Sequence, residues 1–535
     1  MLGLMQDWPL LVSRIIDYAA CQHGSREVVT RSVEGPIVRT NYAAIRARAL
    51  SVAQRLAREG IAPGDRVATL AWNSARHLEA WYGITGAGAV YHTVNPRLFP
   101  EQIAWIVNHA EDRLLMTDLT FVPLLEALAD KLATVQRYVV LTDRAHMPDT
   151  RLRNAIAYED WIGEVDGDFA WVDIDERAAA GLCYTSGTTG HPKGVLYSHR
   201  SNVLHSMAMS APDALGLASR SVILPVVPLF HANSWSIAFS APMTGAKLVM
   251  PGARLDGASI YQLLEAEQVT CSAGVPTVWA MLLQYMQKEN RRLSSLERLV
   301  VGGAAAPRSL IEAFEAQGIE VFHAWGMTEM SPVGTIGSVK PAAAHLRGDA
   351  LIDLKCKQGF APFSVEMKIT DDDGRRLPWD GKTFGRLKVA GAAVARAYFR
   401  SDAPVLDGEG FFDTGDVATI DANGYMQITD RAKDVIKSGG EWISSIALEN
   451  LAVGHPDVAE AAVIGIPHPK WDERPLLIVV PKEGRKIEPQ SLIEHLRAKV
   501  PSWWLPDDVA VVDELPHTAT GKLDKVKLRA QYAGA

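Results

Sequence analysis

The sequence predicts an α/β fold with large parallel sheets, followed by a small α+β domain at the C-terminus. Up to about residue 340, short apolar strands alternate with helices of three to four turns, as in βαβ units. Beyond that point, short strands separated by turn residues dominate, which indicates a β-rich subdomain. A chain of 535 residues is also too long for a single core. We therefore expect at least two domains.

Strand and helix follow each other in turn along the first part of the chain. "RVATLAW" (66 to 72) predicts a strand, "SARHLEAWYGITGAG" a helix and "AVYHTVN" the next strand. "PEQIAWIVNHAEDRLLMTD" and "FVPLLEALADKLATVQRYVVLTD" each predict a helix and then a strand. The alternation returns in "ASIYQLLEAEQVTCSAGVP" and in "SLERLVVGGAAAPRSLIEAFEAQGIEVFHAWG". This order is typical of parallel sheets.

Residues 221 to 246 contain no charged side chain and are numerous enough to span a bilayer. Three prolines interrupt them, however, and the polar residues His231, Asn233 and Ser234 lie in the middle. We therefore predict buried strands and a turn that lines a pocket, without a transmembrane segment.

The C-terminal part has its own strands and helices. "DVATIDANGYMQITD" (416 to 430) predicts a hairpin with Asn423 and Gly424 in its turn. Further strands are predicted at 459 to 466, 476 to 481 and 508 to 513, and helices at 446 to 453 and 489 to 500. The boundary is placed at residues 430 to 434, which gives an N-terminal domain of residues 1–430 and a C-terminal domain of residues 434–535.

Charge and cysteine usage exclude several classes of protein. The net charge is −8 and no basic run occurs, which argues against a nucleic-acid binder. The four cysteines are far apart, so neither a zinc site nor a disulfide framework is indicated. The N-terminus lacks the basic and apolar regions of a signal peptide. We expect a cytoplasmic enzyme.

The segment "YTSGTTGHPKG" (184 to 194) predicts a loop that binds phosphate. Glycines leave room for a ligand near the backbone, and hydroxyls and one cation suit a polyphosphate. The loop residues are Thr185, Ser186, Gly187, Thr188, Thr189, Gly190, Lys193 and Gly194. The Walker A pattern does not match, because Gly194 follows Lys193 where that pattern has Ser or Thr. The alternative is an ordinary surface turn.

Four further motifs follow the loop in order: "WGMTE" (325 to 329), "TGD" (414 to 416), "DRAKDVIKSGGE" (430 to 441) and "TATGKLDK" (518 to 525). Together the five resemble the core motifs of the adenylate-forming superfamily, which comprises acyl-CoA synthetases, nonribosomal-peptide adenylation domains and firefly luciferase. The resemblance covers essentially the whole chain. It implies that the β-rich subdomain is small and β-barrel-like, and that the C-terminal domain is mobile.

The resemblance implies a two-step reaction with ATP and coenzyme A as co-substrates. A carboxylate attacks the α-phosphorus of ATP and releases pyrophosphate, and a thiol then displaces AMP to form a thioester. Since a carboxylate and a triphosphate repel each other, the first step needs cations. By similarity, Thr185 and Glu329 bind Mg²⁺, a hard ion that prefers oxygen ligands.

The resemblance also implies an ATP/AMP site. Its members are the loop residues from Thr185 to Gly190 with Lys193, then Gly303, Ala304, Ala305, His323, Ala324, Trp325 and Gly326 around the adenine, Thr328 at the α-phosphate, and Asp416 and Arg431 at the ribose. Each has a plainer interpretation. Asp416 alone is typical of a turn, Glu329 of a helix N-terminus and Arg431 of a surface ion pair.

Different residues are implied for the two half-reactions. Lys522 would stabilise the charge between carboxylate and α-phosphate, although a lysine near a terminus is usually only solvated. Lys433 is at the position of the hinge about which the C-terminal domain rotates. That rotation would bring the coenzyme A contacts to the adenylate, namely Lys437, Gly439, Gly440, Glu441 and Trp442. His231 would lie between the acyl pocket and the thiol route.

The acid is predicted to be apolar. Amino-acid-activating relatives carry Asp where this chain has His231, so an amino acid is disfavoured. The pocket candidates carry no charge, and they are His231, Trp235, Val275, Gly302, Met327, Pro332 and Val333. Trp235 would close the pocket, or else pack in the core.

Three subgroups of the superfamily carry segments similar to "PLFHANSW", "KSGGEWISS" and "KWDERPL". They are bacterial medium-chain fatty acyl-CoA ligases, 3-methylmercaptopropionate ligases and arylalkanoate ligases. The sequence does not distinguish between these three. A luciferase-like oxidation and an inactive nucleotide-binding relative are the other classes. The retention of Lys193, Glu329 and Lys522 favours the enzyme. A homodimer is compatible with the resemblance.

Overall fold

The computed structural model of the protein describes residues 1, 3–185, 191–439, 441–497, 499–517 and 523–532. Several predicted site residues lie outside the described residues: Ser186, Gly187, Thr188, Thr189, Gly190, Gly440 and Lys522, together with the side chain of Glu441.

The chain packs as two compact units, which are described separately. The first comprises residues 1–366 and 390–406, and the second comprises residues 367–389 and 407–535. Because this division reflects packing, it does not locate a hinge. The boundary at residues 430 to 434 and the hinge at Lys433 therefore stay predictions.

The strands of the first unit belong to two large sheets. In chain order they are Glu27–Arg31 (β1), Ile37–Asn41 (β2), Arg66–Leu70 (β3), Val90–Thr93 (β4), Leu114–Thr117 (β5), Arg137–Val140 (β6), Ile156–Ala157 (β7), Ala179–Tyr184 (β8), Gly194–Ser198 (β9), Val222–Pro225 (β10), Lys247–Met250 (β11), Cys271–Gly274 (β12), Arg298–Val301 (β13), Glu320–Gly326 (β14) and Val333–Ile336 (β15).

Both sheets are mainly parallel, as predicted. Among the described residues, one sheet has the order β15-β14-β13-β12-β10-β11-β1-β2 and the other the order β7-β6-β5-β3-β4-β8-β9. Of the strand pairs described in these two sheets, only the outer pairs β14–β15, β1–β2 and β8–β9 are antiparallel. The strand predicted at 66 to 72 is confirmed as β3. The apolar segment "AAAGLCY" (178 to 184), which also predicts a strand that runs into the glycine-rich loop, is confirmed as β8.

Helices cover these sheets. They are Val12–Gln22 (α1), Tyr42–Arg58 (α2), Ala75–Gly86 (α3), Pro100–Ala110 (α4), Val122–Leu128 (α5), Tyr158–Gly163 (α6), His199–Met209 (α7), Ile237–Thr244 (α8), Gly257–Ala266 (α9), Pro276–Lys288 (α10), Arg308–Glu315 (α11) and Gly348–Cys356 (α12). Side-chain caps begin several of them. The side chains of Asn41, Ser74 and Asp256 each accept a backbone N–H from the first turn, of α2, α3 and α9 respectively.

The second unit is richer in antiparallel strands. Its elements are Val365–Thr370 (β16), Gly385–Gly391 (β17), Phe412–Ile420 (β18), Met426–Arg431 (β19), Ile436–Ser438 (β20), Glu441–Ile443 (β21), Ser445–Val453 (α13), Val458–His468 (β22), Asp472–Pro481 (β23), Pro489–Arg497 (α14), Asp508–Val511 (β24) and Lys525–Tyr532 (α15). Strands β16 to β19 form one four-stranded sheet, and β20 to β24 form the α+β part with the helices. The hairpin predicted at 416 to 430 is confirmed as β18–β19.

The expectation for residues 221 to 246 was partly wrong. Strand β10 and a buried turn are present, but residues 237 to 244 form helix α8 and not a second strand. The apolar run "IAFSAPMT" has no periodicity that distinguishes a buried helix from a buried strand. No helix in the described ranges is long and apolar enough to cross a membrane.

Candidate active site

Strands β8 and β9 hold the two ends of the predicted phosphate loop together. The Thr185 N–H donates to the Lys193 carbonyl over 2.9 Å, and the Lys193 N–H donates to Thr185 Oγ1 over 3.2 Å. These two bonds continue the antiparallel ladder one step beyond Tyr184 and Gly194. A closed base of this kind holds Thr185 and Lys193 side by side at the end of the sheet.

The segment with Thr328 and Glu329 lies against the same hairpin. It forms a short 3₁₀ turn after β14. The Tyr197 hydroxyl of β9 donates to the Thr328 carbonyl over 2.7 Å, and the Ala395 N–H donates to the Glu329 carbonyl over 2.7 Å. The structure therefore brings together the loop base and the two residues predicted to contact phosphate and metal.

Tyr398 connects two of the predicted charged groups. Its hydroxyl donates to Glu329 Oε1 over 2.6 Å, and the Lys193 ammonium lies 4.8 Å from the centre of its ring. Burial and the Glu329 carboxylate raise the pKa of the Tyr398 phenol, which therefore stays a hydrogen-bond donor at neutral pH. Sequence reasoning missed this residue, because "ARAYFRS" matches none of the motifs.

Asp416 and Arg431 face each other across the hairpin β18–β19. Arg431 Nε lies 2.9 Å from Asp416 Oδ1, and the side chains are 46% and 4% exposed respectively. The predicted ribose residues are thus a pair within the second unit. An ion pair of this geometry fits both the ribose role and the plainer structural one, so the role stays a prediction.

The turn after His231 is left-handed. Residues Ala232 to Ser236 all have positive φ values, from 43° to 64°, and none is a glycine. For the four residues other than Asn233, this conformation costs roughly 1–2 kcal/mol each relative to a right-handed turn. Surrounding contacts must hold such a strained backbone, and strained backbones cluster at functional sites.

Trp235 projects from this turn into the interior and is 6% exposed. Its ring covers Gly302 so closely that a Cβ there would lie 3.0 Å from the indole, and a Cβ on Gly303 would lie 3.2 Å from Val275. Trp235, Val275, Gly302 and Gly303 therefore form one group. Since Gly302 and Gly303 follow β13 directly, this group lies at the edge of the sheet where the strand ends.

A second group of predicted pocket residues is formed by the turn before β15. The Met327 N–H donates to the Pro332 carbonyl over 2.9 Å, which closes the turn ahead of Val333. Ser236 Oγ donates to the Ser331 carbonyl over 3.3 Å and so joins this turn to the left-handed one. The predicted acyl residues thus lie on two connected turns.

The predicted adenine segment differs in exposure from residue to residue. Gly303 and Ala304 are exposed, whereas His323 is buried. His323 Nε2 accepts the Ala306 N–H over 3.2 Å, so Nδ1 carries the proton that is donated to the Cys356 carbonyl over 2.9 Å. Burial lowers the pKa of His323 to about 4, so the ring is neutral. His323 therefore holds the loop of residues 304–306 in place through a buried hydrogen bond.

A cavity of about 400 Å³ lies beside the predicted coenzyme A segment of the second unit. It is lined by Ser438, Gly439, Trp471, Arg474, Trp503 and Asp507. Gly439 has a φ of 61° and donates its N–H to the Trp471 carbonyl over 2.8 Å. A Cβ on Gly439 would lie 2.8 Å from the Trp471 ring, so this position needs glycine for both shape and space.

These features are the architecture of an adenylate-forming enzyme. They are two sheets in one unit, a hairpin at the ends of a glycine-rich loop, and an α+β part in the other unit. The chain belongs to the AMP-binding enzyme family, whose model matches residues 16–399. The model of the AMP-binding enzyme C-terminal domain matches residues 447–522.

Characterised relatives cover the whole chain. The 3-methylmercaptopropionyl-CoA ligase of Ruegeria lacuscaerulensis is 49% identical over 100% of this chain and 99% of its own length. The medium-chain-fatty-acid–CoA ligase of Ectopseudomonas oleovorans is 47% identical over 99% of this chain and 98% of its own length. The crystal structure of ATP-bound MatB from Rhodopseudomonas palustris has a TM-score of 0.81 at 25% identity and covers 98% and 99% of the two chains. The protein is therefore an AMP-forming acyl-CoA ligase, with ATP, a carboxylic acid and coenzyme A as substrates.

Proposed function

We propose that the protein activates an apolar carboxylic acid, foremost a medium-chain fatty acid, and transfers it to coenzyme A. The observation that carries this proposal is that two connected turns, joined by Ser236, hold the uncharged pocket candidates around Trp235 and Val333. A pocket without charged groups selects against polar acids and accepts alkyl chains. 3-Methylmercaptopropionate and arylalkanoates are the alternative acids, since their chains are also apolar.

Glu329 and Thr185 fit the proposed Mg²⁺ site because both offer oxygen ligands. Tyr398 orients the Glu329 carboxylate through its hydroxyl. Among the described residues, no group of three or more His, Cys, Asp or Glu side chains could hold a metal ion. The ion would therefore also need phosphate oxygens from ATP. When bound, Mg²⁺ would neutralise charge on the triphosphate.

The protein residues then orient the substrates. In this proposal Lys193 and the loop it closes bind the phosphates, and Thr328 donates to the α-phosphate. Asp416 accepts hydrogen bonds from the ribose hydroxyls, with Arg431 beside it. The adenine lies against the segments 303–305 and 323–326. His231 lies between the acyl pocket and the approaching thiol.

For the second half-reaction, we assign coenzyme A to the cavity of the second unit. The exposed rings of Trp471 and Trp503 suit stacking with an adenine base. Lys437 and Trp442 oppose each other in the hairpin β20–β21 that borders this cavity through Ser438. Rotation at Lys433 would bring Lys522 to the reacting groups in the first half-reaction and this hairpin to the adenylate in the second. A homodimer is compatible with the resemblance but untested, and the cytoplasmic location stays a prediction.

The function is tested by following the products of the purified protein. Acids from C4 to C12, 3-methylmercaptopropionate and phenylpropionate are each supplied with ATP and Mg²⁺, with and without coenzyme A. We expect pyrophosphate release with the preferred acid, and AMP release only when coenzyme A is added. Formation of ADP and phosphate would exclude the adenylate mechanism, and a preference for methylmercaptopropionate would decide for the alternative acid.

Replacing Trp235 with alanine is expected to shift the acid preference towards longer chains. If the space stays open, each added buried CH₂ contributes up to about 0.8 kcal/mol. Short acids lose contacts, so their kcat/KM falls while that of longer acids holds or rises. The measurement is kcat/KM against chain length for both proteins. An unchanged profile with a stability loss of roughly 3–5 kcal/mol would instead show a core role.

Replacing Trp471 with alanine is expected to raise the KM for coenzyme A about tenfold, because stacking on an aromatic ring contributes roughly 1–3 kcal/mol per base. Pyrophosphate release in the absence of coenzyme A should not change. Trp379 is similarly exposed but does not line the cavity, so Trp379→Ala is the matched control. An unchanged KM for coenzyme A in Trp471→Ala would remove this assignment.

A further inference from the structure

His205 joins the two turns that carry the proposed acyl pocket. It lies on α7 and is 1% exposed. Its Nδ1 atom is 2.6 Å from Ser236 Oγ at the end of the left-handed turn, and its Nε2 atom is 3.1 Å from the Val333 nitrogen. Neither the motifs nor the proposed mechanism uses this histidine.

The hydrogen bonds determine which ring nitrogen carries the proton. The Val333 N–H can only donate, so Nε2 accepts and Nδ1 carries the hydrogen that it donates to Ser236 Oγ. Ser236 in turn donates to the Ser331 carbonyl over 3.3 Å. Burial lowers the pKa of His205 to about 4, which keeps the ring in this neutral form. A directed chain of hydrogen bonds therefore runs from Val333 through His205 to Ser236 and back to Ser331.

Other side-chain hydrogen bonds of the left-handed turn do not reach the segment 331–333. Asn233 accepts the Tyr91 hydroxyl over 2.8 Å and donates to Asn202 over 3.2 Å. Ser234 Oγ donates to the Val227 carbonyl over 2.9 Å. These bonds hold the turn against β4, α7 and the end of β10. The bonds of His205 and Ser236, by contrast, reach the segment 331–333, three residues after Thr328.

We propose that His205 is a positioning residue that sets the separation between the Trp235 turn and the Ser331–Val333 segment. Because Trp235 bounds the proposed pocket and Thr328 and Glu329 precede Ser331, this separation determines where the carboxylate lies relative to the α-phosphate. The inference rests on the acyl site proposed above. It adds a residue outside the pocket that affects acid binding without contacting the acid.

The test uses three substitutions of His205 that differ in the hydrogen bonds they keep. Asparagine places an amide at the position of Nδ1 and keeps the bond to Ser236, whereas glutamine reaches the position of Nε2 and keeps the bond to Val333. Leucine keeps neither. We measure kcat and the KM values for acid and for ATP by pyrophosphate release. His205→Leu is expected to raise the KM for the acid about tenfold more than the KM for ATP, with intermediate values for His205→Asn and His205→Gln.

His199 provides the matched control. It is also 1% exposed and lies on α7, but its Nδ1 accepts the Val12 N–H of α1 over 3.2 Å. His199→Leu should lower stability without changing the ratio of the two KM values. Any of three results would overturn the proposal. The first is an equal change in both KM values for the His205 variants, and the second is a KM ratio in His199→Leu that matches the ratio in His205→Leu. The third is wild-type KM values in both His205→Asn and His205→Gln. If His205→Leu does not fold, the asparagine and glutamine variants decide.

The two proposals fail differently. Absence of pyrophosphate release by the wild-type protein with every acid would contradict the proposed function. The His205 test compares variant with wild type on whichever acid the wild type uses, so it does not depend on that acid being a medium-chain one.

Discussion

Replacing Lys522 with alanine is expected to slow adenylation about 10²–10³-fold, the usual effect of removing a preorganised donor from a developing negative charge. Thioester formation from a supplied acyl-adenylate should continue at the wild-type rate, because the proposed rotation withdraws Lys522 before that step. The two half-reactions are measured separately, by pyrophosphate release without coenzyme A and by thioester formation without ATP. Equal losses in both would show a shared or structural role.

A nearby lysine provides the control for Lys522. Lys527 on α15 is 60% exposed, and its ammonium lies 3.6 Å from Asp524. Lys527→Ala removes the same charge from the same region of the chain. It should leave both half-reactions unchanged, so a general effect of positive charge would appear as a loss in this variant.

Replacing Glu329 with glutamine is expected to slow adenylation about 100-fold and to raise the Mg²⁺ concentration needed for half-maximal rate. The substitution removes one negative charge from the proposed metal site but keeps an oxygen that can accept the Tyr398 hydroxyl, so the local packing should survive. The measurement is pyrophosphate release as a function of Mg²⁺ concentration at fixed ATP. A wild-type Mg²⁺ dependence would place the metal elsewhere.

The Tyr398→Phe substitution tests the orientation of the Glu329 carboxylate without changing its charge. It removes only the donor at 2.6 Å from Glu329 and leaves the ring beside Lys193. Losing one hydrogen bond to a charged group corresponds to roughly 1.5–3 kcal/mol, or about 10- to 150-fold, as an upper range. Because Glu329→Gln also removes the negative charge, the expected loss for Tyr398→Phe is smaller than for Glu329→Gln.

Much of the fold followed from local patterns because periodicity and turn residues are local signals. Strand β3, the hairpin at Asn423–Gly424 and the helices α13 and α14 each have such a signal, and each was predicted within a few residues, whereas α15 was not predicted. Helix α8 was not predicted because a run that is apolar on every side has no period. In such segments the tertiary environment decides between helix and strand.

Sequence motifs predicted the residues that are proposed to carry out the chemistry. They did not predict the residues that act through packing contacts. Thr185, Thr328 and Glu329 were found through motifs, and the structure brings their segments together through Tyr197 and the loop base. Tyr398 and His205 could not be found in this way. They act through contacts between segments more than 30 residues apart in sequence, and a single sequence does not display such contacts.

The left-handed turn at residues 232–236 has a consequence for protein engineering. Asn202, His205 and Tyr91 hydrogen-bond to Asn233 or Ser236 and so hold this conformation, whereas "ANSWS" contains no glycine and only its asparagine tolerates positive φ well. We expect the same five residues, grafted onto a scaffold without these partners, to lose the left-handed turn and to direct the indole elsewhere. Transfer of acid selectivity between enzymes would therefore require the supporting helix to be moved together with the loop.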